Sequence, residues 1–240
     1  MLTKKNRVWA IAALFGGVIG FSACLKDKTT TPQRMTYLAA IINGATEPAG
    51  VNIYNNNVVM NSDLYKTGQS APFTDYPGLH TYSFRNAQGL GLDSVSGQYD
   101  SLNYYTMITY NDGGAFRVSS RKEDFSSLSN SKVNYRFLNL SPNSGPIDLY
   151  IDSKKIDSNR VFGVNAAWNS VDPYNNSVTY VAKFAGTDST IAVGTARSSS
   201  SSTSVAFLGG RVYTIYLSGM KDSTGDKKLK LYYLSHTSSE

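Results

Sequence analysis

The stretch Asn139–Tyr150, NLSPNSGPIDLY, decides the fold. It opens as a loop and closes as a strand. Ser141-Pro142 and Gly145-Pro146 shape the loop, because proline fixes φ and glycine admits turn conformations. The strand continues to Asp152 as IDLYID. Ile147, Leu149 and Ile151 fall on one face, and Asp148, Tyr150 and Asp152 on the other. An apolar face of this kind needs a second sheet to cover it, which is the plan of a β-sandwich. Asp148 and Asp152 are then expected on a solvated face, roughly 13 Å apart at about 3.3 Å per residue. That exceeds the about 5–9.5 Å between the paired carboxylates of glycosidases.

The same pattern recurs outward from this point. VNIYNN, HTYSFR, YYTMITY, VTYVAKF, STIAVGTA, RVYTIYL and LKLYYL are short runs rich in Tyr, Val, Ile and Thr. Turn residues such as NDGG and STGD separate them, and no long stretch shows helical spacing. The chain reads as all-β. It also repeats itself: NGATEPAGVNIY (Asn43–Tyr54) aligns without a gap on Asn139–Tyr150. Further on, Thr81-Tyr82 aligns with Thr179-Tyr180, and Tyr105–Tyr110 with Tyr213–Ser218. The expected organisation is two tandem immunoglobulin-like β-sandwich domains, 35–125 and 132–240, joined by a linker at 126–131 (Ser126–Ser131).

The second half carries a family resemblance. Tyr135–Ile156, YRFLNLSPNSGPIDLYIDSKKI, resembles the opening of the domain of unknown function 4397 family. Val178–Val193 and Gly209–Gly219 resemble that family's middle and closing strands. The first half matches more weakly, since Glu47-Pro48 stands where the Ser-Pro turn would be. The resemblance implies an extracytoplasmic β-sandwich, often in tandem on bacterial lipoproteins, and implies no activity.

The N-terminus predicts a membrane anchor. Lys4, Lys5 and Arg7 precede an apolar run, Val8–Ala23, that ends in small residues before Cys24, the lone cysteine. This is the layout of a secretory signal, and the run is shorter than the roughly 20 residues of a spanning helix. Phe21-Ser22-Ala23-Cys24 resembles a bacterial lipobox, in which the cysteine becomes the lipidated N-terminus. Residues 1–23 are then a signal peptide and 24–34 a lipidated, flexible tether. More than one acyl chain, at about 0.8 kcal/mol per buried CH₂, anchors stably. Leu25 is not an inner-membrane retention residue, so the outer membrane is expected, with the periplasmic or surface face left open. Lys26-Asp27 matches only part of a Bacteroidota surface-export signal.

Loss of residues 1–23 drops the formal net charge from +6 to about +3, too weak and scattered for nucleic acid. With one cysteine, no intramolecular disulfide and no disulfide-linked partner is expected. Chemistry is sparse. His80 and His236 are the only histidines, and His236 sits near the C-terminus, a poor place for preorganisation. NDGG (Asn111–Gly114) and KDSTGDKK (Lys221–Lys228) lack EF-hand spacing and read as turns. No catalytic residue, metal site or cofactor is expected, and the chain is read as not an enzyme. Ala166–Asn176 is the richest candidate binding segment: Trp168 and Tyr174 supply aromatic faces, Asn169 and Asp172 polar partners. The alternative for Trp168 is to fill a sandwich core. Two roles follow. One is a non-catalytic, lipid-anchored envelope protein that is structural or adhesive, with the membrane and another envelope protein as partners. The other is an accessory glycan-binding lipoprotein of a nutrient-uptake system.

Overall fold

The computed structural model describes residues 34–174, 178–196 and 207–236 of the 240. The expected signal peptide, Cys24 and all but the last tether residue lie outside these, as do Asn175 and Asn176. The body, Met35–Glu240, is one compact unit. It is all-β, as the alternation predicts. Among the described residues no helix is long and apolar enough to cross a membrane.

The N-terminal half holds nine strands: β1 (Tyr37–Asn43), β2 (Gly50–Asn55), β3 (Val58–Val59), β4 (Tyr65–Lys66), β5 (Ser70–Asp75), β6 (Gly78–Arg85), β7 (Gly91–Tyr99), β8 (Tyr104–Asp112) and β9 (Ala115–Glu123). One sheet runs β5-β1-β8-β9 and the other β3-β2-β6-β7, with β4 also on β2. The C-terminal half holds β10 (Val133–Asn139), β11 (Ile147–Ile151), β12 (Lys154–Arg160), β13 (Asn169–Val171), β14 (Val178–Phe184), β15 (Thr190–Ala196), β16 (Val212–Ser218) and β17 (Lys230–Ser235). Its sheets run β13-β10-β16-β17 and β12-β11-β14-β15. In both halves the first strand pairs parallel with the penultimate one, β1 with β8 and β10 with β16.

Each half closes a sandwich around its own core. Tyr37, Ile41, Val51, Ile53, Tyr82, Phe84 and Met107 are buried together in the first. Tyr135, Phe137, Ile147, Leu149, Ile151, Tyr180 and Ile215 are buried together in the second. Asp112 ends β8 and Ala115 starts β9, so Gly113 and Gly114 form the turn, both with positive φ.

A third apolar layer was not expected from the alternation. Ala40, Ile42, Tyr104, Ile108, Leu138, Leu140, Tyr216 and Leu234 form a buried cluster drawn from both halves. The β1-containing sheet and the β10-containing sheet therefore have both faces covered, and every residue of β10 and β16 is buried. The Tyr216 hydroxyl donates to Gly68 O at 2.7 Å and the Ser218 hydroxyl to Gly44 O at 2.8 Å, crossing this seam. Lys227 also pairs with Glu47 across it, on the surface. Large apolar side chains gain about 1.5–3 kcal/mol each on full burial, against about 0–1 kcal/mol for an exposed ion pair. Ile42, Ile108, Leu138 and Leu140 thus do more to join the halves than Lys227 and Glu47 do.

Asp148 corrects the sequence expectation. It is 2 % exposed, not on a solvated face. The β11–β12 ladder slips in register between Ile147 and Leu149, and the Asp148 carboxylate serves the irregular backbone there. It accepts from Asn159 N at 2.8 Å, Gly186 N at 3.3 Å and Lys155 Nζ at 2.6 Å. Burial pushes its carboxyl up, but Lys155 and the two N–H groups outweigh that and hold it below the ordinary range.

Candidate functional site

Two of the buried charged side chains among the described residues, Arg136 and Glu123, meet in the seam. Arg136 interrupts the apolar run of β10 and is fully buried. Strand alternation turns Tyr135 and Phe137 into the sandwich core and Arg136 the other way, into the seam. Its Nη1 donates to Glu123 Oε2 at 2.9 Å, and its Nη2 lies 2.7 Å from Glu123 Oε1. Glu123, the last residue of β9, also lies 3.5 Å from Arg121 Nε. The Arg136 guanidinium sits 4.5 Å from the Trp168 ring centroid, a cation–π contact. Burial pulls Arg136 down to about 10, opposed by Glu123, so it stays charged at neutral pH.

A polar relay extends from Arg136. Its Nε donates to Thr214 Oγ1 at 2.9 Å, and Thr214 Oγ1 is 2.6 Å from His236 Nε2. Arg136 donates to the Thr214 oxygen, and the hydroxyl has both a hydrogen to give Nε2 and a second lone pair to accept from it, so the His236 tautomer sets the direction of that bond. The His236 ring is boxed by Tyr104, Phe125 and Trp168, with centroids 5.1, 5.7 and 5.6 Å away. Among the described residues, the buried Tyr104 Oη, Thr106 Oγ1 and His236 Nδ1 have no hydrogen-bond partner, while Glu123 Oε1 and Arg136 Nη2 meet only each other's charge. A groove of about 690 Å3 opens beside this cluster, walled by residues of both halves including Leu38, Leu102 and Phe125.

His236 is thus more ordered than its place near the C-terminus suggests. Burial holds its pKa well below the usual 6.5, and Arg136 and Arg121 add to the shift. The folded chain keeps His236 neutral while the unfolded chain protonates it below about pH 6.5. This contribution is therefore fully present above that pH and is lost as pH falls below it. Stability measured by urea titration should drop by up to about 1.4 kcal/mol per pH unit on this account. His236→Gln should flatten the slope between pH 6.5 and 5. An unchanged slope in that variant would assign the pH response to other groups.

The four candidate binding residues lie on β13 or its flanks but do not share one surface. Trp168 is half-buried in the seam, with one ring face under Arg136 and its edges against Phe125 and His236. It lies in the contact between the halves and not in a sandwich core. Tyr174 packs partly buried against the C-terminal core, and its backbone N donates to Phe207 O. Asn169 and Asp172 are exposed, the latter 3.6 Å from Lys132 Nζ. His80 is buried on β6, bonded to Asn55 Oδ1 at 2.9 Å and Tyr76 O at 2.8 Å. No group of three or more His, Cys, Asp or Glu is placed to hold a metal among the described residues.

The repeated asparagines prove to be strand terminators. Asn43 Oδ1 accepts from Ala45 N and Asn139 Oδ1 from Ser141 N, each two residues on and each at 3.2 Å. The Asn43 amide donates to Tyr65 O at 2.7 Å, and the Asn139 amide to Gly145 O at 3.0 Å and Arg160 O at 3.2 Å. Each side chain therefore ends its strand, β1 or β10, and ties that end to neighbouring backbone. Residues 38–150 match the family described as Domain of unknown function (DUF4397). The DUF4397 match starts in β1, carries the whole N-terminal sandwich and ends in β11, just under half of the chain. It supports the resemblance to this family, but it lies mainly on the half that looked weaker and reaches only the first part of Tyr135–Ile156. Val178–Val193 and Gly209–Gly219 lie beyond it. No curated protein matches the chain.

The sequence had flagged Trp168 but not its companions. Arg136 carried a usable signal: a charge inside an apolar strand run requires a buried partner. Glu123, Thr214 and His236 carried none: Thr214 and His236 reach it through long-range strand pairing in the β10-containing sheet, and Glu123 through the packing of the two halves.

Proposed function

We propose that this chain is a non-catalytic, lipid-anchored protein of the outer membrane, of the Bacteroidota lipoprotein type, built from two copies of the DUF4397 module and serving a structural or adhesive role. One observation carries this: its buried ionisable groups are committed to architecture. Arg136 and Glu123 join the halves, His236 fills the seam, His80 braces β6, and Asp148 repairs a register slip. General acid–base chemistry needs a group free to exchange a proton with a substrate. Cys24, behind a basic and apolar leader, supplies the anchor in this reading. The same strand order in both halves supports the two-copy reading.

Cys24→Ala tests the anchor. The variant should leave the membrane fraction or accumulate uncut, and should lose incorporation of a labelled fatty acid. Membrane-bound, processed and acylated Cys24→Ala protein would overturn it. The glycan-binding reading keeps one favourable observation, the exposed Asn169 and Asp172 flanking Trp168. Glycan-array binding that disappears in a folded Trp168→Ala variant would favour it over the structural role.

A further inference from the structure

We propose that the groove beside the seam binds a small amphipathic carboxylate, its apolar body along Leu38, Leu102 and Phe125 and its head group toward Tyr104 and His236. The walls come first. Leu102 is 81 % exposed and Leu38 50 % exposed, two of the exposed large apolar side chains among the described residues. Both line the groove, together with Phe125, and about 690 Å3 is in the range that holds a drug-sized ligand. The site also lies where two sandwiches meet, a usual place for ligand pockets.

The inner wall sets the head group. Tyr104 and His236 line the groove, and the Tyr104 hydroxyl and His236 Nδ1 are both buried without partners. The Tyr104 hydroxyl has a hydrogen to donate, and so does Nδ1 in the tautomer in which Thr214 donates to Nε2, so together they offer an acceptor two hydrogens. Behind this wall Arg136 and Arg121 share a single carboxylate, Glu123, and Arg211 lines the groove itself, so the surroundings of His236 carry net positive charge. A cationic head is repelled. A neutral acceptor gains ordinary hydrogen bonds, and an anionic one gains charge-assisted bonds about twice as strong in water-poor surroundings. A carboxylate on an apolar body meets all of these conditions. The site is independent of the lipid anchor.

The full-length chain with Trp9→Phe, held in lipid nanodiscs, leaves Trp168 as its sole tryptophan and thus a reporter 5.6 Å from the His236 ring. Titration with 4-phenylbutanoate, against empty nanodiscs, should give a saturable change in Trp168 emission. The matching alcohol, 4-phenylbutanol, should bind at least about tenfold more weakly, as should the acid to Tyr104→Phe. Leu102→Asp, at an exposed position that leaves the fold intact, should weaken the acid by a similar factor. If Tyr104→Phe fails to fold by circular dichroism, Leu102→Asp and the alcohol decide the matter. No saturable response, equal binding of acid and alcohol, or an unchanged response in Leu102→Asp would overturn the site.

Discussion

Glu123→Ala is expected to destabilise the folded chain by about 3–5 kcal/mol, the cost of leaving a buried charge without its partner. Arg136 is fully buried, and its Nη groups face Glu123 at 2.9 and 2.7 Å. With the carboxylate gone, Arg136 keeps only Thr214 and the Trp168 face. The double variant Glu123→Leu with Arg136→Met should recover most of the loss, because replacing a whole buried pair by apolar side chains is often neutral or favourable. Urea denaturation of wild type, both single variants and the double gives the coupling between the two positions. A single-variant loss below about 1 kcal/mol, typical of solvated pairs, would mean that water reaches this part of the seam.

Asn139→Ala is expected to cost about 3 kcal/mol or more. The side chain serves Ser141 N, Gly145 O, Arg160 O and the Ser144 hydroxyl, all at the buried end of β10. Each buried group left unsatisfied costs about 1–3 kcal/mol. Asn139→Asp, similar in shape, keeps the acceptor but sets a carboxylate oxygen against two carbonyls, so it should be nearly as damaging. Thermal or chemical denaturation distinguishes this from a ligand-binding role, which would leave stability intact. A loss under 1 kcal/mol in both variants would show that the loop finds other partners.

These two sites also mark what a linear reading can reach. Asn139 was visible because the chain says the same thing at Asn43, and a repeated residue at a strand end has a local job. Ile147, Leu149 and Ile151 were visible because a half-covered strand alternates, and all three are buried as read. The seam was missed because its strands do not alternate. Ala39–Ile42 and Ile215–Leu217 are continuous apolar runs, the mark of a sheet covered on both sides, and reading them as ordinary sandwich strands left one face unassigned. The polar cluster was further out of reach. Arg136 and Thr214 face each other across β10 and β16, and His236 follows β17 of the same sheet, a pairing between strands far apart in the chain; Glu123 joins them only where one sandwich packs on the other.

The placement of β1 has a mechanical side. It is the first strand of the body, yet it lies inside its sheet, bonded to β5 on one flank and β8 on the other. Tyr37, at its start, is wedged among Tyr82, Tyr99 and Tyr105. Tension applied through the segment before Tyr37 would pull along the strand axis. The backbone bonds on both flanks would then bear it together in shear, where an edge strand would peel away bond by bond. Survival under such a pull is governed by the unfolding rate and not by equilibrium stability. A chain held from its N-terminal side thus meets the force with a strand bonded on both flanks.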